Sequence, residues 1–590
     1  MKTNNIKYIA LAMGSMIGFS SCDDFLDRPT EDAFTTQTYY KTDAQLHSTS
    51  ATLYNSPWYD FQRGFFKVGE VMAGNYYWGS SPYLTLTVNG TDEDLVNMSA
   101  SLWSVNAYAN VLLKNVDELA GAATTEAVRN EVKGEALVWK AMAYFYLVRS
   151  FGGVPIIHDN TAMIAAGNYN DVYRATPENV YDYIILTLKK AIEWLPSKPS
   201  EAGRIDKYCA KGLLAKVYLT KAGVTGTLNK EDLQKAVEYA TDVKNNSGRE
   251  LEPDFWRIFR LTGNTCDESL IAWRWTAATT AGGNWTRQNT LQSDLGITGF
   301  SEIGDIWGEW ASPSVDLIEA FGDSPLSETR QNVDARRKST LMMPNDVYDY
   351  FWADHLSTFS KGGFEVLDFC YNEDAATIKS RNKLKGNPAF QTGAHNVKHL
   401  VGDMYDHNEG PYGCGVSMVR MGTSLATHIL RLADVYLVLA EAQALLDGGT
   451  TSNAEALEAF NAVHNRSCSY VEETSITWEK IWKERRLEFA LEGDRWYDFV
   501  RLSYYNADRA IEELKSQKRG TYDGLDKAYK TYFESGYSSW NVSSAAYTEA
   551  PAISYDKSIF TLPFPDTDKL SNPHLNEEPQ NQDVSQYTYE

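Results

Sequence analysis

Two stretches of the sequence gather flat aromatic rings beside amides, carboxylates and guanidinium groups. The first holds Asn75, Tyr76, Tyr77, Trp78 and Tyr83; the second holds Asn284, Trp285, Arg287, Phe300, Asp305, Trp307, Glu309 and Trp310. A sugar ring offers apolar C–H faces and equatorial hydroxyls, so it is held by ring platforms flanked by hydrogen-bonding groups. These residues are therefore candidate saccharide contacts. Any one tryptophan can equally serve a core, burying its ring while its N–H finds a partner. Trp103, Trp139, Trp194 and Trp496 fall on helical faces and read as core. Trp273 and Trp275 share one face of the alternating segment LIAWRWT, which reads as a short strand.

Glycoside hydrolysis would combine the same rings with a pair of carboxylates, and such a pair leaves no mark in sequence. The chain has no HExxH, GxSxG or Walker A phrase, so no catalytic residue is assigned. Residues 89–97 (NGTDEDLVN) cluster oxygens that calcium could use, but they lack EF-hand spacing and read as a solvated acidic loop. No metal site and no cofactor is expected. Besides Cys22, the cysteines are Cys209, Cys266, Cys370, Cys414 and Cys468, with no CxxC spacing, which excludes a zinc knuckle and a dense disulfide framework. Cys209 reads as a small buried residue, and a Cys370 to Cys414 bridge is left open. A formal charge of −23 argues against nucleic acid and anionic headgroups as ligands.

Cys22 has chemistry of its own. Lys2 and Lys7 precede an apolar run over residues 9–19, too short and too glycine-broken to span a bilayer, and then come Ser20, Ser21 and Cys22. That order reads as a lipoprotein signal peptide, residues 1–21, whose cleavage leaves an acylated Cys22 as the first residue. Phe19 stands where leucine is usual. The following CDDFLDRPTEDAF is polar, as a tether should be.

What must position the aromatic stretches is helical. Ala143/Tyr146/Leu147, Ala215/Tyr218/Leu219 and Ala433/Tyr436/Leu437 repeat one phrase at helical spacing. Each is followed by a second amphipathic segment, at 179–195, 233–243 and 454–463. A small residue admits the partner helix while the tyrosine and leucine fill the groove beside it, so stacked pairs bury a core that one pair could not. The reading is a mainly α chain with a tetratricopeptide-like scaffold over about 98–245 and 428–515. Loop-rich insertions at about 56–97 and 246–427 carry the aromatic stretches, and 537–590 is an irregular tail. Residues 481–502 read as one further helix, and Arg431, Asp434, Glu441, Glu484, Arg485, Arg495 and Asp498 read as an interhelical charge network.

Six phrases in order, nearly end to end, resemble the SusD/RagB family of outer-membrane nutrient-binding lipoproteins. They are SCDDFLDRPT at 21–30, GEALVWKAMAYFYLVRSFGGVPII at 134–157, GRIDKYCAKGLLAKVYL at 203–219, ILRLADVYLVLAEA at 429–442, ERRLEFALEGDRWYDFVR at 484–501 and FTLPFPDTDKLSNPHLNEEPQ at 560–580. The last departs from the family's usual Pro-Ile-Pro and Gln-Asn-Pro-Gly forms. The resemblance implies a single domain over 22–590, with four tetratricopeptide-like units facing a less regular ligand-holding half. It implies no enzyme but a surface lipoprotein, held in outer-membrane lipid through Cys22 and directed there by Asp23 and Asp24. It also implies a glycan ligand and a SusC-like TonB-dependent transporter as partner, with the chain as its lid. A peptide-binding member of the same family and a glycoside hydrolase are the alternatives.

Overall fold

Most of the helices begin where the sequence supplies a side-chain acceptor for their first free N–H groups. In the computed structural model, which describes residues 39–277, 285–301, 311–372, 390–416, 418, 422–468 and 472–589, the short helices α1 (Asp43–Ala51) and α2 (Gln62–Phe66) lead into the long ones. Asp92 caps α3 (Glu93–Leu119), Thr125 caps α4 (Glu126–Phe151) and Thr176, followed by Pro177, caps α5 (Pro177–Trp194). Asp206 and Asn229 cap α6 (Lys207–Lys221) and α7 (Lys230–Asn246). After the second insertion come α8 (Leu432–Leu446), α9 (Ala454–Ser467), α10 (Trp478–Glu488) and α11 (Arg495–Lys515).

These helices pack as the expected pairs, α4 with α5, α6 with α7 and α8 with α9. The alanines and leucines of the repeated phrase are fully or almost fully buried at all three sites, while Tyr436 is half-buried. α4 is central: every residue from Glu131 to Phe151 is buried, which a helix surrounded on all sides requires.

The single helix expected over 481–502 is two. The chain breaks between α10 and α11, where Leu491 and Gly493 adopt φ of 66° and 78°. Gly493 is needed twice there, for the left-handed backbone and because a Cβ would stand 2.2 Å from the Phe65 ring. The break turns Glu488 and Glu492 toward Arg431, at 3.0 and 2.8 Å, with Glu268 on the same guanidinium. The wider charge network is present: Arg485 meets Asp434 and Asp498, Arg336 meets Glu484, Arg501 meets Glu441, and Arg495 lies 3.4 Å from Asp498. Burial pushes the Glu488 carboxyl up, but Arg466, Arg431 and Arg336 together hold it far below the usual carboxylate range.

Two short ladders tie the insertions to this scaffold. Strand β2 (Ser269–Trp273) pairs antiparallel with β4 (Thr427–Arg431), so the strand read from LIAWRWT is formed and Trp273 is fully buried. Strand β1 (Tyr76–Trp78) pairs with β3 (Ala311–Pro313) and joins the first insertion to the second. The second insertion has its own apolar cluster, which includes Phe300, Phe351, Phe364 and Phe369 and reaches Tyr529 beyond the scaffold.

Candidate functional site

The β1–β3 ladder brings the two aromatic stretches together. Trp78 is paired with Ala311, the chain neighbour of Trp310, and Tyr77 with Ser312. Asn284, Asp305, Trp307, Glu309 and Trp310 lie outside the described residues, as does the side chain of Trp285.

Within β1 the alternation of a strand puts Tyr76 and Trp78 on one side, their ring centroids 6.3 Å apart, and Tyr77 on the other. Tyr76 points inward, is fully buried, and meets Phe66 edge-to-face with centroids 4.8 Å apart. Tyr77 and Trp78 are half-buried. Lys67 Nζ stands 4.9 Å from the Trp78 ring centroid, a cation–π contact, and also pairs with Asp94.

Four expected contact residues are corrected. Asn75 is buried because its side chain works inside the fold: Nδ2 donates to Glu70 Oε2 at 2.9 Å, and Oδ1 accepts from Arg486 Nε at 2.9 Å. Tyr76 is core, as above. Tyr83 is fully buried and its hydroxyl donates to Asp92 at 2.7 Å. Phe300 is likewise buried, in the second apolar cluster.

Among the described residues, the acids around these rings are committed to structure. The segment read as a solvated loop at 89–97 is instead the start of α3, with Asp92 accepting from Leu95 N and Asp94 buried against Lys67 and Arg63. Glu70 is raised to about 7 by burial, partly offset by the hydrogen bonds it accepts from Asn75 and Gly493 N. Asp354, His355 and Asp403 bring potential ligand atoms within 4.8 Å of one another, yet His355 Nδ1 already sits 2.6 Å from Asp354, and Asp403 caps the turn Met404–Asn408. Cys370 and Cys414 are both free thiols, so the bridge left open is not made. Burial pushes the Cys414 thiol up, but His407 and Ser424 bring it down to about 7.

Arg287 stands elsewhere. It is exposed and lines a cleft of about 720 Å³ whose walls come from α1, α3 and residue 276, and include Tyr39, Tyr40 and Tyr108. The sequence did not point to those tyrosines or to Lys67. Tyr108 carried one signal, an aromatic ring on the polar side of a long helix.

Comparison with known proteins agrees with this architecture. The model of the SusD family matches residues 310–582, and a model described as "Starch-binding associating with outer membrane" matches residues 24–219. A SusD-like protein of Bacteroides ovatus is 31% identical over 97% of both chains. SusD-like protein P2 of Formosa agariphila is 26% identical, covering 86% of this chain and 92% of its own. A solved structure with xylogluco-oligosaccharide is 28% identical with a TM-score of 0.72, over 91% of this chain and 99% of its own. The chain belongs to the SusD family. Members of that family are carbohydrate-binding proteins rather than enzymes.

Proposed function

We propose that this chain captures oligosaccharide at the β1 strand, with Trp78 on one side of the strand and Tyr77 on the other, and hands it to a SusC-like TonB-dependent transporter. In this reading Cys22, outside the described residues, carries the lipid that holds the protein on the outer surface of the outer membrane, with the polar segment behind it as a leash. The observation that carries the reading is the β1–β3 ladder. It presents two half-exposed rings on a fixed strand beside the end of the second aromatic stretch, where Trp307 and Trp310 are the further contacts proposed from sequence. Asn284 and Trp285 belong to the same proposal. A relative of 28% identity in complex with a xylogluco-oligosaccharide supports a glycan as the ligand class. The commitment of Asp92 and Asp94 to a helix cap and to basic partners favours binding over hydrolysis.

Calorimetry of the full chain against a panel of neutral glycans and peptides tests this. Glycan binding is expected, with Trp78→Ala weakening it about tenfold or more, the scale of a ring that anchors an interface. Peptide binding without any glycan binding would overturn the ligand class. Release of reducing sugar by the purified protein would overturn the absence of catalysis.

A further inference from the structure

The cleft that holds Arg287 differs from the surface around Trp78 in one respect that decides its ligand. Among the described residues that line it, Arg287 is the sole charged side chain, in a chain of net charge −23. The sequence around it is equally bare: no other charged residue occurs between Arg274 and Asp294.

The other arginines around the helical pairs show how unusual this is. Arg431, Arg336 and Arg485 are each enclosed by two or more carboxylates. Arg287 makes no hydrogen bond or ion pair through its guanidinium among the described residues, although its backbone is fixed: its carbonyl accepts from Thr276 N at 2.8 Å. The two residues after it, Gln288 and Asn289, are buried, and Asn289 Nδ2 donates to Leu425 O at 2.8 Å. A guanidinium on an anchored backbone, with no acid facing it among the described residues, is free to fork onto a planar anion.

The rest of the cleft suits a sugar. Its volume of about 720 Å³ falls in the range of roughly 300–1,000 Å³ usual for small-molecule sites. Leu53 and Leu112 are buried at its floor, while Tyr108 is 50% exposed at its rim and offers a ring platform. Tyr39 and Tyr40 are oriented by hydrogen bonds, Tyr39 to Ser48 Oγ at 2.9 Å and Tyr40 from Asn115 Nδ2 at 3.2 Å.

We propose that the cleft between α1, α3 and Arg287 is a second saccharide site, selective for sugar units that carry an anionic group. Arg287 takes the anion, a uronate carboxylate or a sulfate ester, and Tyr108 takes the ring. This rests on the reading that the chain binds glycans, but not on the β1 surface around Trp78.

The test titrates the full chain with an oligogalacturonate, the same oligomer methyl-esterified, and a sulfated oligosaccharide of similar length. The charged sugars, either or both, are expected to bind at least about tenfold tighter than the ester, and the difference to shrink as salt rises. Arg287→Gln should abolish the difference, Arg287→Lys should restore part of it, and Trp78→Ala should leave it in place. Tyr108→Ala should weaken acid and ester alike. Equal binding of charged and esterified sugars, or a preference that survives Arg287→Gln, overturns the inference. A preference lost with Trp78→Ala and kept in Arg287→Gln also overturns it, by assigning the anion to the other face. A chain that binds neutral oligosaccharides without charge preference sinks this inference alone; one that binds no saccharide sinks both readings.

Discussion

In the helical pairs, buried polarity is charged and paired: Arg431 sits among Glu268, Glu488 and Glu492, and Lys216 lies 2.6 Å from both Asp434 and Asp494. In and beside the insertions such pairs recur, Arg330 lying 2.9 Å from Asp323 and Lys398 2.7 Å from Glu492, but there neutral or singly charged side chains also grip backbone. Gln292 accepts from Val401 N and donates to Gly402 O, Asn289 reaches Leu425 O, and Arg519 spends its guanidinium on the carbonyls of Val71, Met72 and Leu84. The acid–base consequence is opposite in the two regions. Burial works against the charge on Arg431, yet three glutamates raise its pKa well above the ordinary value; burial, offset only in part by Tyr555 and Asp316, lowers Arg519 to about 10. Regular helices satisfy their own backbone, so their side chains are free to form a charge network between elements. Irregular segments have unpaired carbonyls and amides, and there side chains are used to satisfy backbone.

The largest expected effect lies on the charged side. Arg431→Met keeps much of the volume but leaves three carboxylates buried around an apolar chain, and removal of one partner from such a cage costs about 3–5 kcal/mol. Urea unfolding at neutral pH should show this loss, and the loss should narrow in acid as those carboxylates take up protons. A loss below about 1 kcal/mol would mean that the charges are not what holds α8, α10 and the 489–494 break together.

Glu70 sits at the junction of the two regions, bound on one side to Gly493 N at 2.7 Å and on the other to Asn75 at 2.9 Å. Burial raises its pKa from 4.5 to about 7. The folded state therefore binds the extra proton, and the stability this contributes is fully present below the unfolded value and is lost as pH rises through about 7. Wild type should lose on the order of 1–3 kcal/mol more than Glu70→Gln between pH 4.5 and pH 8. Parallel stability curves for the two proteins would show that the carboxyl is not held protonated at this junction.

The scaffold was legible in sequence because each of its signals is local. Helical spacing, the caps at Thr125, Thr176 and Asp206, and the alanine-tyrosine-leucine phrase all act within a few turns. The charge network was legible too, since acids and bases of opposite sign recur on adjacent faces of the same helices. The break between α10 and α11 was not, because residues 489–494 contain good helix formers and the deciding contact is Gly493 against Phe65, far away in the chain. Asn75, Tyr76 and Tyr83 were misread for a similar reason. Their composition resembles a contact surface, but Tyr76 packs on Phe66, Asn75 is held by the distant Arg486, and Tyr83 turns its hydroxyl to Asp92. The Arg287 cleft is assembled from four separate parts of the chain, and only the uncharged run around Arg287 could have hinted at it.

The smallest effect tests the neutral side of the comparison. Gln62 is 1% exposed and bolts α2 to the second insertion: its Oε1 accepts from Thr290 N at 3.0 Å, and its Nε2 donates to Tyr59 O and Gln288 O at 3.3 and 3.4 Å. Gln62→Met preserves the volume and removes an acceptor from a half-buried amide, so about 1 kcal/mol should be lost. No charge is involved, and the loss should stay the same from pH 5 to pH 8. It should also be local: amide exchange at Thr290 should accelerate while α4 keeps its protection. A loss that matched Arg431→Met in size, or that varied with pH, would break the contrast, because α2 would then be tied to the second insertion through charge and not by an amide gripping backbone.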